Sequence, residues 1–391
     1  MTSAAPVRFK AIEMTSASLG GRVRLELEPT CTVLVGRNGS GKTLVIESIM
    51  MGLYNSWHGP LSGLDLPVLP IDFACELEHG EALYRYSHNI ETKDGADASE
   101  EPTARRLDWH EECRLISGGD VVLWRVEAGT VTTSLDATKM ILPEGSGLLH
   151  TGLKGMPPVV VGHAEVIRDA LAGISIVFAG LPRAFLQKSE VFLRRQPKNR
   201  PVPSDKRDRL LTMASSFLQL LERKPEDFRH LQDVCLRVLG EPLEAVVYRD
   251  QKGGTSGDLG EVTIGNTNIG LASDGTLRVL EMLIAMMTSS RSSLLVIEEP
   301  EMCVHPGLLG RVLNEIDSRA SDAQVLLSTH SPQVLDWRSS DPKALRFLSR
   351  EDGVTKVSAI DPESLARVKA YMFEDGSLAD YVFQRDEAGS N

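Results

Sequence analysis

The sequence predicts an α/β fold, in which a mixed sheet carries an antiparallel β region and a helical insertion. Near the start, an apolar strand runs into a glycine-rich loop that is followed by an amphipathic helix. From about residue 71 to 133 the apolar residues recur with a period of two, and from about 163 to 240 they recur at helical spacing. Strand patterns return after residue 262. The first and last parts of the chain therefore frame an insertion.

Composition is that of a globular protein without a membrane span. The 391 residues are 42% apolar, which is enough for one large or two ordinary domains. No apolar run approaches the roughly 18 residues of a spanning helix, and the first ten residues hold no apolar stretch long enough for a signal peptide. The 5 cysteines are odd in number and lack a CxxC pair, which disfavours disulfides and zinc. We expect a cytoplasmic protein with reduced thiols.

The first strands and the first helix follow from residue patterns. Residues 22–28 alternate apolar and polar side chains, as a strand with one wet face does. Residues 32–35 form a continuous apolar strand that leads directly into the glycine loop. Beyond the loop, one helical face carries Val45, Ile46, Ile49, Met50 and Leu53. The loop is thus predicted to join a buried strand to a helix.

The period-two region predicts antiparallel strands at residues 71–77, 82–86 and 121–126, with turns at His79-Gly80 and Gly118-Gly119. An acidic stretch from Glu91 to Glu101 is predicted to be an exposed loop.

The middle of the chain predicts helices followed by a hairpin. Helical spacing is shown by Leu210, Leu211, Met213, Phe217, Leu220 and Leu221. A second helix is predicted to begin at Pro225, and residues 243–248 and 262–264 are predicted to pair around a glycine-rich turn. These patterns set the predicted boundaries at 1–160 for the N-terminal part, 161–261 for the helical insertion and 262–391 for the C-terminal part.

A basic segment lies inside the insertion. Between Arg183 and Arg209 there are nine basic residues and three acidic ones, although the whole chain has a net charge of -12. Such a run is usually a solvated surface. The alternative is a contact surface for nucleic acid or for an acidic partner.

The glycine loop has the pattern G-x-x-x-x-G-K-[ST], which binds phosphate. Its glycines let backbone N–H groups face phosphate oxygens at the N-terminus of the following helix. The lysine reaches the β- and γ-phosphates of a nucleotide, and the final hydroxyl ligates Mg²⁺. The predicted ATP-binding residues of this loop are Gly36, Arg37, Asn38, Gly39, Ser40, Gly41, Lys42 and Thr43.

Two adjacent carboxylates follow a second apolar strand, at residues 294–297. Carboxylates at the edge of a core need a cation or hydrogen-bond donors to offset their desolvation, and a metal-bound nucleotide supplies both. We expect Glu298 to hold Mg²⁺, and Glu299 to orient or deprotonate the attacking water.

The sequence signal for two further sites is weaker when each is considered alone. Ser273, Asp274 and Gly275 precede an apolar helix, where they predict either an anion site or an ordinary N-cap. His330 follows the apolar strand 325–328, 31 residues after Glu299, at a strand end where a γ-phosphate would lie.

Together these motifs resemble the ABC ATPase superfamily, and within it the RecF/SMC-like and OLD-like branch of AAA family ATPases (AAA_21/AAA_15 type). The segment GRNGSGKT resembles their Walker A motif, and LASDGTLR at residues 271–278 resembles their signature. IEEPEMCVHP at 297–306 is similar to their Walker B motif and D-loop, and STHSP at 328–332 to their switch histidine. The resemblance covers residues 8–56 and 262–348 well.

This resemblance implies a P-loop ATPase head that dimerises around ATP and Mg²⁺. Each nucleotide would lie between Lys42 of one copy and Ser273 with Gly275 of the other. Glu299 and His330 would act at the γ-phosphate, and His305 would lie near the dimer seam. We also expect two other partners: an effector protein, and nucleic acid bound by the basic segment.

The sequence departs from the family in ways that leave alternatives open. No glutamine occurs between Thr43 and Gln187, so the Q-loop glutamine of the family is missing from its usual region. In the signature, Thr276 stands where the family usually has a glutamine. The residues after His330 contain no carboxylate cluster of the kind that would indicate a nuclease domain. A DNA-linked ATPase is therefore the first hypothesis, an ATP-dependent switch on a toxin or nuclease the second, and a transporter subunit the third.

Overall fold

Two large sheets and one small sheet organise the protein in its computed structural model. The structure describes residues 6–58, 72–93, 106–137, 139–142, 147–151, 153–178, 210, 213, 216–217, 220–248, 258–288, 294–320, 323–338, 341–373 and 376–382. The predicted basic segment, Arg183 to Arg209, lies outside these residues. No helix within the described ranges is long and apolar enough to cross a membrane.

The strands in chain order are β1 (Val7–Ser16), β2 (Gly21–Glu26), β3 (Cys31–Val35), β4 (Asp72–His79), β5 (Ala82–Lys93), β6 (Arg106–Leu115), β7 (Val121–Glu127), β8 (Thr130–Thr132), β9 (Lys139–Ile141), β10 (Ser175–Val177), β11 (Leu243–Tyr248), β12 (Asp258–Ile264), β13 (Thr267–Asn268), β14 (Leu294–Glu298), β15 (Gln324–Thr329), β16 (Leu345–Glu351) and β17 (Val354–Ala359).

The α-helices that can be bounded in the described part of the chain are α1 (Lys42–His58), α2 (Leu148–Thr151), α3 (Pro158–Ala172), α4 (Pro225–Leu239), α5 (Asp274–Thr288), α6 (Pro306–Ala320), α7 (Pro332–Trp337) and α8 (Pro362–Phe373). Single 3₁₀ turns lie at Ile269–Leu271 and Pro342–Ala344.

The six-stranded sheet has the order β10-β14-β15-β3-β16-β17, with only its last pair antiparallel. Every residue of β3 and β14 is buried, because α5 and α6 pack on one face of this sheet, and α1 with the second large sheet packs on the other. In β3, Val33 and Val35 pack into one core while Leu34 packs into the other. These short parallel strands therefore bind both layers together and end at a common edge.

The eight-stranded sheet is antiparallel, with the order β2-β1-β4-β5-β6-β7-β8-β9. Its inner face packs on α1 and α3 in one of the two cores. On its outer face, three arginines surround Glu13: Arg22, Arg24 and Arg85. Burial alone would raise the pKa of Glu13, but the hydrogen bonds from these arginines lower it to about 2. The carboxylate is therefore charged at neutral pH although it is buried.

Most elements predicted from residue patterns are present. The alternating strand at 22–28 is β2, the strand before the loop is β3, and the helix after it is α1. The hairpin predicted around a glycine-rich turn is β11 paired with β12.

The structure corrects the sequence predictions at two places. Residues 91–93, predicted as the start of an acidic loop, are the end of β5 and pair with β6. Residues 175–177, predicted as helical, form β10 and pair with β14. In both places pairing with another strand overrides the local composition.

Candidate functional site

The glycine loop lies between β3 and α1, as predicted. Gly39 and Gly41 have φ angles of 83° and 99°, which a side chain would strain. A Cβ on Gly36 would lie 2.5 Å from the carbonyl oxygen of Leu348 on β16, and one on Gly41 would lie 2.7 Å from the hydroxyl of Thr355 on β17. The β16–β17 hairpin therefore fixes the loop closely enough to require glycine at both positions.

Lys42 is buried inside the curve of the loop. Its Nζ donates hydrogen bonds to the carbonyl oxygens of Gly36, at 2.6 Å, and Arg37, at 3.2 Å. The residue is only 6% exposed. Ser40 Oγ is also buried and makes no hydrogen bond with the residues that the structure describes. A lysine held at the centre of a loop of backbone N–H groups fits a phosphate, for which it supplies charge.

Thr43 and Glu298 lie against each other across the sheet edge. The hydroxyl of Thr43, at the start of α1, donates to Oε1 of Glu298, the last residue of β14. Glu298 is 4% exposed. This pair of oxygen ligands fits Mg²⁺, which takes one or two protein oxygens and completes its shell with phosphate and water. In the described part of the chain, no cluster of three His, Cys, Asp or Glu side chains could hold a metal by itself.

Glu299 and His330 are in contact at the same edge. The Nδ1 atom of His330 is 3.3 Å from Oε1 of Glu299 and 3.5 Å from Oε1 of Glu301. Glu299 has a φ of 42°, and its N–H donates to the carbonyl oxygen of Ser328 at 2.9 Å. The left-handed backbone turns the chain sharply out of β14. The 31-residue spacing of Glu299 and His330 thus corresponds to two neighbouring parallel strands.

The signature residues form an N-cap in the chain as it stands. Ser273 Oγ accepts a hydrogen bond from the N–H of Thr276 at 3.1 Å, at the start of α5. Ser273 and Asp274 are exposed. A Cβ on Gly275 would lie 2.4 Å from the carbonyl oxygen of Cys303, so this glycine packs on the loop that follows β14. The capping role is therefore present, and a role in phosphate binding stays a prediction.

Three residues with evident roles were missed by the sequence analysis. Arg278 is 1% exposed, and its guanidinium donates to the carbonyl oxygens of Phe178 and Glu298, at the ends of β10 and β14. It ties the signature helix to the strand that carries the carboxylates. Glu301 contacts His330, and Thr355 packs on Gly41. The sequence carried a signal for two of these residues: Arg278 is an arginine on the apolar side of α5, and Glu301 is a third acid that follows Pro300. It carried no signal for Thr355.

A cavity of about 600 Å³ lies away from this site, on the outer face of the eight-stranded sheet. Its lining includes Glu13, Arg22, Arg85, Glu112 and Arg125, whose charges already pair with one another. It includes none of the predicted site residues.

Part of the chain matches a known protein family. Residues 182–336 match a family described as "AAA domain, putative AbiEii toxin, Type IV TA system". No curated protein matches the chain. Among solved structures, it is similar to the SmcHead bound to the C-winged helix domain of ScpA, with 14% identity over 91% of this chain and 99% of that one, at a TM-score of 0.47.

Two other solved structures are similar to it. An Smc head domain with an extended coiled coil, bound to the C-terminal domain of ScpA and derived from Pyrococcus furiosus, is 13% identical over 94% of this chain and 99% of that one, at a TM-score of 0.47. The SMC head domain from Thermotoga maritima is 14% identical over 90% of this chain and 99% of that one, at a TM-score of 0.39. The family match makes residues 182–336 similar to an AAA domain, and the sheet order brings Lys42, Glu298 and His330 to one edge of the six-stranded sheet.

Proposed function

We propose that this chain binds ATP with Mg²⁺ and hydrolyses it to ADP and phosphate. The observation that carries the proposal is the meeting of three motifs where the parallel strands β3, β14 and β15 end side by side. Lys42 would bind the β- and γ-phosphates, while Thr43 and Glu298 hold the metal. Glu299 would orient or deprotonate water, and His330 would contact the γ-phosphate. Magnesium would neutralise charge on the phosphates.

The same proposal includes a homodimer that closes around the nucleotide. Ser273, Asp274 and Gly275 are at the N-terminus of α5, where backbone N–H groups favour an anion. They would face the γ-phosphate bound by a second copy of the chain. Binding of ATP would favour the closed pair, and hydrolysis would release it.

The process served is proposed to be DNA-linked, such as anti-phage defence or DNA repair. Its support is the basic segment between Arg183 and Arg209, an excess of positive charge in an acidic chain. The salt dependence of DNA binding would test it, since each phosphate contact adds to the slope of affinity against salt.

A second candidate is an ATP-dependent switch that regulates a toxin or nuclease and turns over little ATP. It is favoured by the description of the matching family, which names a toxin and a toxin–antitoxin system. Affinity capture with and without a non-hydrolysable ATP analogue separates the candidates. A switch should change its bound proteins with nucleotide, whereas a DNA-linked ATPase should turn over ATP faster with DNA.

Replacement of Lys42 tests ATP binding. The Lys42→Ala variant should bind Mg-ATP at least tenfold more weakly, a loss of about 1.4 kcal/mol or more, because the phosphates lose their buried cation. Isothermal titration calorimetry measures the affinity. The matched control is Lys356→Ala, since Lys356 is exposed and its ammonium pairs with Glu351. Unchanged ATP affinity in Lys42→Ala would refute the proposed function.

A further inference from the structure

Glu301 joins the loop after β14 to the loop after β15. Its Oε1 accepts a hydrogen bond from Thr329 Oγ1 at 2.7 Å and another from the N–H of His330 at 3.1 Å. The side chain is 12% exposed, and its Oε2 is buried and makes no hydrogen bond within the described part of the chain. A carboxylate in this environment loses much of its hydration, so its position is set by these donors.

Thr329 extends the contact along the loop. Its hydroxyl donates to Glu301 and accepts a hydrogen bond from the N–H of Ser331 at 2.9 Å. Together with the bond from His330 N–H, one carboxylate oxygen therefore orders the backbone on both sides of the histidine. Charged acceptors form stronger bonds than neutral ones, so this arrangement is stiff.

The ring of His330 lies between two carboxylates. Its Nδ1 is 3.3 Å from Oε1 of Glu299 and 3.5 Å from Oε1 of Glu301. The ring is 45% exposed, so packing alone does not fix its rotamer. With Nδ1 held by the carboxylates, Nε2 is the ring nitrogen that is left to meet a ligand.

We propose that Glu301 is a positioning residue, which acts through His330 to set the ring for a γ-phosphate oxygen. This inference rests on the proposed function. The rival explanation is a structural latch, in which Glu301 holds two loops together and has no specific effect on the histidine. The two explanations differ in whether the effect of Glu301 depends on the ring of His330.

A double-mutant cycle on ATP turnover makes this distinction. Glu301→Ala should lower kcat by roughly 10- to 100-fold, because a displaced reacting group costs rate, and should change KM less than about threefold. In a His330→Ala background, Glu301→Ala should lower kcat by less than about twofold. An equal loss of kcat in both backgrounds would overturn the proposal and leave the latch.

Conservative variants supply a second measurement. Glu301→Gln keeps a carbonyl oxygen as acceptor and should keep kcat within about threefold of wild type, and Thr329→Ser should do the same. Thr329→Val, which removes the hydroxyl and keeps the shape, should lower kcat. The control is Glu363→Ala on the exposed first turn of α8. Equal kcat in Glu301→Gln and Glu301→Ala would contradict the role of the acceptor.

Failure of the proposed function would give a different experimental result. If wild-type protein binds no ATP and shows no turnover, the proposed function fails, and the contact of Glu301 with His330 is still tested by ¹⁵N spectra of labelled histidines. His330→Ala identifies the His330 ring signals. Glu301→Ala should shift them more than Glu363→Ala does, and unshifted signals would overturn the positioning role.

Discussion

At the scale of the residue, Glu299 combines a proposed chemical role with a strained backbone. Its φ of 42° is the left-handed region, which costs a residue with a Cβ roughly 1–2 kcal/mol. A glycine or asparagine would relieve this cost but would remove the carboxylate that faces His330 at 3.3 Å. Strain at a site where the side chain is needed is therefore compensated by the bond from Glu299 N–H to Ser328 and by the packing around β14.

A pair of variants measures this strain. Both Glu299→Asn and Glu299→Gln remove the charge, but only asparagine tolerates the left-handed backbone well. We expect Glu299→Asn to be more stable in urea than Glu299→Gln by roughly 0.5–1 kcal/mol, with no ATP turnover by either. At Glu244, a residue of β11, the same pair should favour glutamine, because asparagine is disfavoured in strands. Equal stability of the two Glu299 variants would argue against strain.

At the scale of the element, the β16–β17 hairpin packs closely against the glycine loop and limits its shape. Gly41→Ala adds two costs: a side chain at a φ of 99°, and a Cβ that is 2.7 Å from Thr355 Oγ1 and 2.9 Å from its Cγ2. Thr355→Ala removes both atoms, and it should cost little alone because that hydroxyl is buried without a hydrogen bond to any described residue.

We therefore expect Thr355→Ala to recover on the order of 1 kcal/mol of the stability that Gly41→Ala loses. Urea unfolding of the two single variants and the double variant measures this coupling. Gly39→Ala is the control, because Gly39 has a φ of 83° with no atom within 4 Å of its Cβ position. Strictly additive losses would show that Thr355 does not set the space at Gly41.

Elements carried by a local pattern were predictable from sequence, and those made by distant pairing were not. The run from β3 through the loop to α1 was predictable because apolar periodicity and turn residues act locally. The strand β10 was not, since three residues after a helix form a strand only by pairing with β14, more than a hundred positions later. Likewise Glu299 and His330 could be assigned to one edge, but not Thr355 to the loop.

At the scale of the whole molecule, two large apolar side chains are exposed on the face around the signature in the described part of the chain. Leu271, just before Ser273, is 81% exposed, and Met302, in the loop after Glu299, is 42% exposed. The contact of Gly275 with the Cys303 carbonyl puts these two loops side by side. The proposed closed dimer would bury this face, since each copy presents its signature to the nucleotide of the other.

Replacement of Leu271 tests that arrangement. In a Glu299→Gln background, which should trap bound ATP, sedimentation velocity should show a dimer with Mg-ATP and a monomer without it. Adding Leu271→Asp should abolish the dimer, because a carboxylate would be buried at the interface without a partner, while leaving the stability of the monomer unchanged to about 0.5 kcal/mol. Ile141→Asp is the matched control, since Ile141 is 85% exposed but lies on β9, at the edge of the other sheet. A dimer that forms equally well with Leu271→Asp would place the interface elsewhere, and loss of the dimer with Ile141→Asp would move it to the antiparallel sheet.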